Sequence, residues 1–319
     1  MEILDIGNKY LLKVLPEIVS KELNETICDI KFIGGGSFGR VFKTKLGSGR
    51  IIAIKAYRVQ GSQYKEAAQL RILADGTSVK MPEVVFTYED EKTAILGMTF
   101  VGGKNVLESE FLLKSKKKKQ KFASDVVDGM LEWHSITSEK FGEIEKPVYA
   151  LWTEYYKKEK QVPWLKALSE LADNGKYSKK DLALLKEATE IFNTLPENNA
   201  TPSLIHGDLN IMNIMADSDL NLTAFIDPCG SIWADREYDL FQLRNMWGDA
   251  FGLYETYKSK CELPEYADFR IAYYASMHEA SMRLKGGLTM PLWEILNNRR
   301  LKKEIKKLKM VKSYNKDEK

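Results

Sequence analysis

The chain has 319 residues, 44% hydrophobic and 29% charged, with a formal net charge of +3. That is an ordinary globular composition, long enough for one two-lobed unit or two modest domains. Three scattered cysteines (Cys28, Cys229, Cys261) exclude a disulfide framework or a cysteine metal site and fit a reducing compartment, and no apolar run approaches the ~20 residues of a membrane span.

Residues Glu2, Asp5 and Lys9 stand too early for a secretory signal, so a cytoplasmic protein without a membrane partner is expected. The charge is unevenly spread. The tail from Arg299 to Lys319 holds ten basic and three acidic residues, leaving 38 basic against 42 acidic. The run KSKKKKQK at 114–121 holds six more lysines, so the remaining body is near −10. Positive charge is thus expected in a solvated loop and a tail. Few aromatics interleave with it to stack bases, which argues against a nucleic-acid partner.

Residues 8–23 have helical apolar spacing, with Pro16 expected to break or kink the run. From Ile30 the pattern turns to short β-rich runs, IKFI, RVFKTKL and IIAIKAY, punctuated by glycines. Residues 62–75 read as a helix with Ser62 as its cap and Ala67, Leu70, Leu73 and Ala74 on one face. PEVVFTYED and KTAILGMTFV are two further strands. Past Gly102-Gly103 helices are predicted over 120–136 and 181–195, short β runs return at SLIHGD, NIMA and LTAFIDP, and helices resume from about Glu237. In the tail, Leu301, Ile305 and Leu308 form a stripe that predicts a docked helix. The fold class is α+β, with a small β-rich N-terminal lobe over 1–98, preceded by a helix, and a larger mainly helical lobe over 99–319.

GGGSFGRVF sets Gly34, Gly36 and Gly39 at G-x-G-x-x-G spacing, followed by Val41. A dinucleotide fingerprint uses the same spelling but continues into a helix, whereas RVFKTKL continues as strand. An ordinary hairpin fits as well as a loop laid over phosphates, where only glycines let backbone N–H groups approach. Lys55, inside an apolar strand, must reach solvent or meet an anion, and Glu66 on the next helix can pair with it. His206, Asp208 and Asn213 form H-x-D-x₄-N, and Asp227 follows in FIDPCG. Phosphoryl transfer asks for a carboxylate at the attacking hydroxyl and oxygen ligands for Mg²⁺. Asp208 suits the first task and Asn213 with Asp227 the second, while His206 takes a supporting role and Asn210 is read as a turn residue.

GGGSFGRV, AIK, HGDLNIMN and IDP stand in kinase order, and H-G-D with D-P resembles the aminoglycoside phosphotransferase superfamily, which also holds fructosamine, choline and homoserine kinases. The resemblance covers roughly residues 30–245. It implies a bilobal protein-kinase-like fold with ATP (GTP is an alternative) and Mg²⁺ in the cleft. On that resemblance Asp208 is the catalytic base, Asn213 and Asp227 are the metal ligands, and Lys55 touches phosphate. Gly34, Gly36, Ser37, Gly39, Val41 and Glu66 belong to the nucleotide site, and a hinge near Gly97–Val101 brings in Met98 and Phe100. DPCGSIWADREYDLFQL is similar to the segment in which an acidic residue supports the catalytic loop, a role given to Asp239. Asp235, Glu237 and Glu279 are guesses for the substrate side, and Arg236 for the substrate side or a helix cap.

Only eleven residues separate Asp227 from Asp239, too few for the platform on which a protein kinase lays a peptide. The expected acceptor is therefore a small molecule, and the acidic body favours a cationic one. The leading reading is an O-phosphotransferase for an amino-bearing molecule such as an aminoglycoside antibiotic, with a role in resistance. A fructosamine or choline-type metabolite kinase is the alternative, and a silent nucleotide-binding regulator a further one. A monomer or homodimer is expected.

Overall fold

The computed structural model describes residue 4 and residues 6–36, 39–284 and 290–317, with side chains to residue 310. Helix α1 (Asn8–Leu23) leads into β1 (Ile27–Gly35), β2 (Gly39–Leu46) and β3 (Ile51–Tyr57), then α2 (Ser62–Asp75), β4 (Val84–Glu89) and β5 (Ala94–Thr99). The five strands form one antiparallel sheet in the order β1-β2-β3-β5-β4.

Strand alternation gives this sheet two different faces. Ile52, Ile54 and Ala56 on β3 join Phe42, Leu46 and Ile95 in a core closed by Leu11, Leu15, Ile18 and Val19 of α1. Ala53 and Tyr57 face the other way and join Leu96, Met98 and the α2 residues Ala67, Leu70 and Leu73 in the core that runs on into the helical half. Lys55 lies between Ala53 and Tyr57, so it is on the α2 face.

Helix α1 runs unbroken through Pro16, contrary to the break expected there. The carbonyl that Pro16 leaves without an N–H belongs to Leu12, which is 44% exposed and open to water. Four buried side chains, each contributing about 1.5–3 kcal/mol, outweigh the roughly 3 kcal/mol an interior proline costs. The expected cap of α2 is also displaced by one residue. Gly61, at φ 81°, is the N-cap, no side chain caps the helix, and Ser62 is already its first residue.

Beyond Thr99 the chain enters β6 (Lys104–Asn105), α3 (Ser109–Leu112) and α4 (Lys116–Ser135), then β7 (Phe141–Glu143), β8 (Lys146–Tyr149) and α5 (Trp152–Tyr156). A π-helical turn, Lys157–Gln161, joins α5 to α6 (Val162–Asp173), and α7 (Lys179–Thr194) follows. The rest is β9 (Ser203–Leu204), β10 (Ile214–Ala216), β11 (Leu222–Phe225), β12 (Ile232–Ala234), α8 (Glu237–Leu240), α9 (Leu253–Lys260), α10 (Ala267–Ser281) and α11 (Pro291–Asp317). The N-terminal part is thus β-rich and the C-terminal part mainly helical.

The lysine run is not the loop expected of it. Lys116–Lys119 and Lys121 fill the first turns of α4, which starts at the cap Ser115, whose side chain accepts the Lys118 N–H at 3.3 Å. In the tail, Leu301 and Ile305 are buried and Leu308 packs on the same core, so α11 is a docked helix up to the last described side chains. Among the described residues no helix is long and apolar enough to cross a membrane.

Candidate active site

Two short hairpin elements carry the polar residues. Strands β10 and β11 pair Ile214 with Phe225, and Ile226 N–H donates to the Asn213 carbonyl at 3.0 Å. That pairing brings Asn213 beside Asp227, fourteen residues away in sequence. Asp227 is in the left-handed region at φ 57°, a strained position for a residue other than glycine that is typical of functional sites. Gly207, between His206 and Asp208, has φ 80°, and a Cβ there would lie 2.6 Å from the Gly230 carbonyl group. The H-G-D spelling is therefore a steric requirement.

From the sheet side, Lys55 Nζ donates to Glu66 Oε2 at 2.7 Å and forms an ion pair with Asp227. Tyr57 Oη donates to the same Glu66 oxygen at 2.7 Å. Burial, the largest influence, works against the Lys55 ammonium, but the Asp227 and Glu66 carboxylates outweigh it and hold the group well above the usual lysine range. Burial raises Glu66, with Lys55 opposing. Strand register puts Val41 opposite Lys55 and Met98 opposite Ala53, so Val41, Lys55 and Met98 share one face, and the Lys43 ammonium caps the Phe100 ring. Gly39 leaves no room for a side chain, since a Cβ would sit 2.7 Å from the Ala56 carbonyl oxygen, whereas Gly34 and Gly36 face open space. Ser37 lies outside the described residues.

Asp208 is held on both oxygens. Oδ1 accepts from Asn210 Nδ2 at 2.9 Å and from Gln242 Nε2 at 3.0 Å, and Oδ2 from Asn213 Nδ2 at 3.1 Å. Burial, with the Asp227 charge adding to it, raises Asp208 to about 8. Asn210 makes the turn read for it, its Oδ1 accepting the Met212 N–H at 2.9 Å, and its Nδ2 also holds Asp208. Behind the loop, Asp239 accepts the Gly207 N–H at 2.9 Å and the His206 N–H at 3.1 Å. His206 is fully buried against Trp133, and burial lowers it to about 4, so the ring is neutral. Its Nδ1 accepts the Asp208 N–H at 3.3 Å, which places its proton on Nε2.

Asn213 commits its amide nitrogen to the Asp208 carbonyl at 2.7 Å and to Oδ2. Its amide oxygen and the half-exposed Asp227 carboxylate supply hard oxygen donors. Among the described residues no cluster of three or more His, Cys, Asp or Glu forms a complete metal cage. A donor set of this size and kind suits a cation that takes its remaining ligands from phosphate and water.

Asp235 and Glu237, the guesses for the substrate side, are both buried among protein partners. Asp235 is buried, accepting from Asn198 Nδ2 at 2.7 Å and from the Glu237 N–H at 3.0 Å. Glu237 is buried in a two-pronged ion pair with Arg270, at 2.6 and 2.8 Å. Both carboxylates are thus engaged with protein partners on both oxygens. Glu279 is also buried, accepting the Met290 N–H at 3.3 Å. Arg236 provides no side-chain cap to α8 and donates instead to the Glu262 carbonyl at 3.0 Å. Tyr57 and Gln242 are not marked by the sequence, since they belong to no spacing pattern. Only the position of Tyr57, two residues after Lys55 on a strand, signalled that it shares the Lys55 face.

The family model described as "Phosphotransferase enzyme family" matches residues 29–284. Among curated proteins, an uncharacterized protein, YcbJ, of Escherichia coli K12 is 25% identical over 195 residues, 59% of this chain and 64% of that protein. The chain thus matches less than two thirds of that relative's length. Among solved structures, a candidate fructosamine-3-kinase of Haemophilus somnus 129PT has a TM-score of 0.69 at 16% identity, over 93% of this chain and 100% of that one. The GDP complex of wild-type aminoglycoside 2'-phosphotransferase-IIIa has a TM-score of 0.65 at 17% identity, over 93% and 98%. A thermostable mutant of aminoglycoside phosphotransferase APH(4)-Ia, in a ternary complex with ADP and hygromycin B, scores 0.68 at 15% identity, over 92% and 98%. At these identities the likeness is one of fold.

Proposed function

Because this chain belongs to the phosphotransferase enzyme family, we propose that it moves the terminal phosphoryl group of ATP to a hydroxyl of a small amino-bearing molecule, an aminoglycoside-type antibiotic first among them. The observation that carries this reading is the convergence of Lys55, Asp208, Asn213 and Asp227, from three separate stretches of sequence, on one another. In this reading Asp208 takes the proton of the acceptor hydroxyl, whose oxygen bonds to the terminal phosphorus while the bond to the bridging oxygen breaks and ADP leaves. Lys55, aimed by Glu66 and Tyr57, holds the phosphates. The face bearing Val41 and Met98, with Phe100 at its edge, receives the base, and Gly34, Gly36 and Gly39 let backbone N–H groups approach the phosphates. Asn213 and Asp227 would hold Mg²⁺, which supplies charge neutralisation at the phosphate oxygens. Asp239 and His206 keep the loop carrying Asp208 in place.

The acidic body supports a cationic acceptor through its field. One neighbour was crystallised with ADP and hygromycin B and another with GDP, which supports a purine nucleotide as donor. A fructosamine-type acceptor is favoured by a different observation, the fold likeness to the Haemophilus somnus protein. Purified protein given ATP, Mg²⁺ and a panel of aminoglycosides, fructosyl-amines and choline is expected to release ADP with one class. Release with none of them would overturn the acceptor class, and phosphorylation of a peptide panel instead would overturn the small-molecule reading.

A further inference from the structure

The two oxygens of Asp208 are held unequally. Among the described residues Oδ1 accepts two hydrogen bonds, from Asn210 at 2.9 Å and Gln242 at 3.0 Å, and Oδ2 accepts one, from Asn213 at 3.1 Å. A carboxylate oxygen has about two lone-pair sites, so Oδ1 is filled and Oδ2 keeps one site open. Gln242 is 1% exposed and stands 34 residues from Asp208 in sequence, on a single turn that follows α8. Its Nε2 also lies 3.5 Å from the Gly207 carbonyl oxygen.

The orientation of Gln242 is set from behind. Its Oε1 accepts from Asn245 Nδ2 at 3.1 Å, the Asn245 Oδ1 accepts from Asn297 Nδ2 at 3.4 Å, and the Asn297 Oδ1 accepts from Arg300 Nη1 at 3.0 Å. Arg300 is tied in turn to Asp249. A guanidinium only donates and a carboxylate only accepts, so the chain from Arg300 to Asp208 has one sense. Each amide between them must present its oxygen toward Arg300 and its nitrogen toward Asp208. Gln242, Asn245 and Asn297 are all at least nine-tenths buried, so a flipped amide would leave groups unpaired at a cost of about 1–3 kcal/mol each.

We propose that Gln242 is a positioning residue for the phosphotransfer base: it fills Oδ1 of Asp208, directs the acceptor hydroxyl to Oδ2, and is itself oriented by α11 through Asn245 and Asn297. This rests on the reading of Asp208 as the base. The proton leaves the acceptor oxygen for the open site on Oδ2 as that oxygen bonds to phosphorus. Gln242 exchanges no proton and touches no reacting atom. The C-terminal helix, remote in sequence from the motifs, then sets the geometry of the catalytic loop.

The test is steady-state phosphotransfer, using ATP and the acceptor that the panel identifies, for wild type, Gln242→Leu, Gln242→Glu, Asn297→Leu and Asp208→Asn. Gln242→Leu is expected to lower kcat about 10–100-fold with the KM for ATP within about twofold, because misplacing a reacting group by an ångström costs about that much. Asn297→Leu is expected to move kcat in the same direction by less. Gln242→Glu is nearly isosteric and folds even where the leucine variant does not. Its carboxyl can donate to Oδ1 only when protonated, so its kcat is expected to fall with rising pH across a range in which wild type does not fall. A wild-type pH profile and kcat in Gln242→Glu, beside an inactive Asp208→Asn, would overturn the positioning role. Full turnover in Asp208→Asn would instead overturn the base assignment.

Discussion

Asp208→Asn is expected to lower kcat about 10²–10⁴-fold, the range for loss of a general base, while the protein still folds with a modestly lower denaturation midpoint. The substitution keeps the shape but puts an NH2 where one oxygen accepted, so it faces an amide donor. The residue sits at the meeting point of three amide donors, and an amide in its place cannot take a proton from a hydroxyl. A donor left unpaired costs about 1–3 kcal/mol, but the fold is expected to hold because no apolar packing is removed and burial already disfavours the ionised carboxylate. The KM for ATP is expected to move far less than kcat, since Lys55 and Asp227 are untouched. Circular dichroism and urea titration beside the kinetics separate loss of the base from loss of the fold. Wild-type turnover in a folded Asp208→Asn protein would remove Asp208 from the chemistry.

Arg270→Met is expected to cost about 3–5 kcal/mol of folding stability, the range for breaking a buried pair from one side. Glu237 is 0% exposed and its partner Arg270 is 6% exposed at the side chain, so removal of the guanidinium strands a carboxylate in the interior. Asp235 is buried nearby and adds a like charge. Burial has already pushed Glu237 up to about 7 with Arg270 in place, and removal of the arginine raises it further. An acid whose folded pKa exceeds its free value binds more protons folded than unfolded. Stability is therefore lost as pH rises from the ordinary glutamate value, near 4.5, through 7 and above. The deficit of Arg270→Met relative to wild type is accordingly expected to be larger at pH 8 than at pH 6, read from urea midpoints at the two values. An unchanged midpoint with a raised KM for the acceptor would return Glu237 to the substrate side.

These two positions mark where the sequence is legible and where it is not. Lys55 stands out because a lysine in an apolar strand must reach solvent or meet an anion, and Glu66 because the helix bearing it follows directly. The order of the glycine loop, Lys55, Asp208, Asn213 and Asp227 was readable because such chemistry needs few residue types at short spacings. The partner of Glu237 is not legible, because an acidic residue near a motif looks the same whether it faces a substrate or an arginine. The arginine that decides between those readings is 33 residues further on. Gln242 escaped notice for a related reason, since an amide carries meaning only through what it touches.

Elements of the fold divide along similar lines. Strands β1 to β5 announce themselves by alternation and by flanking glycines. Strands β6 to β8 and β12, at two to four residues, are too short to show a period. The start of α4 was hidden because lysine is a good helix former that leaves no apolar stripe. In α1 the local penalty of Pro16 was legible, but the tertiary burial that exceeds it was not.

The most direct test of the convergence of Lys55, Asp208, Asn213 and Asp227 on one nucleotide cleft is calorimetric titration of ATP into the wild-type protein and Asp227→Asn, with Mg²⁺ and with EDTA. Binding to wild type is expected to tighten at least about tenfold when Mg²⁺ is present, and that gain is expected to vanish in Asp227→Asn. ATP affinity that is the same in all four titrations, or absent from wild type, would contradict it.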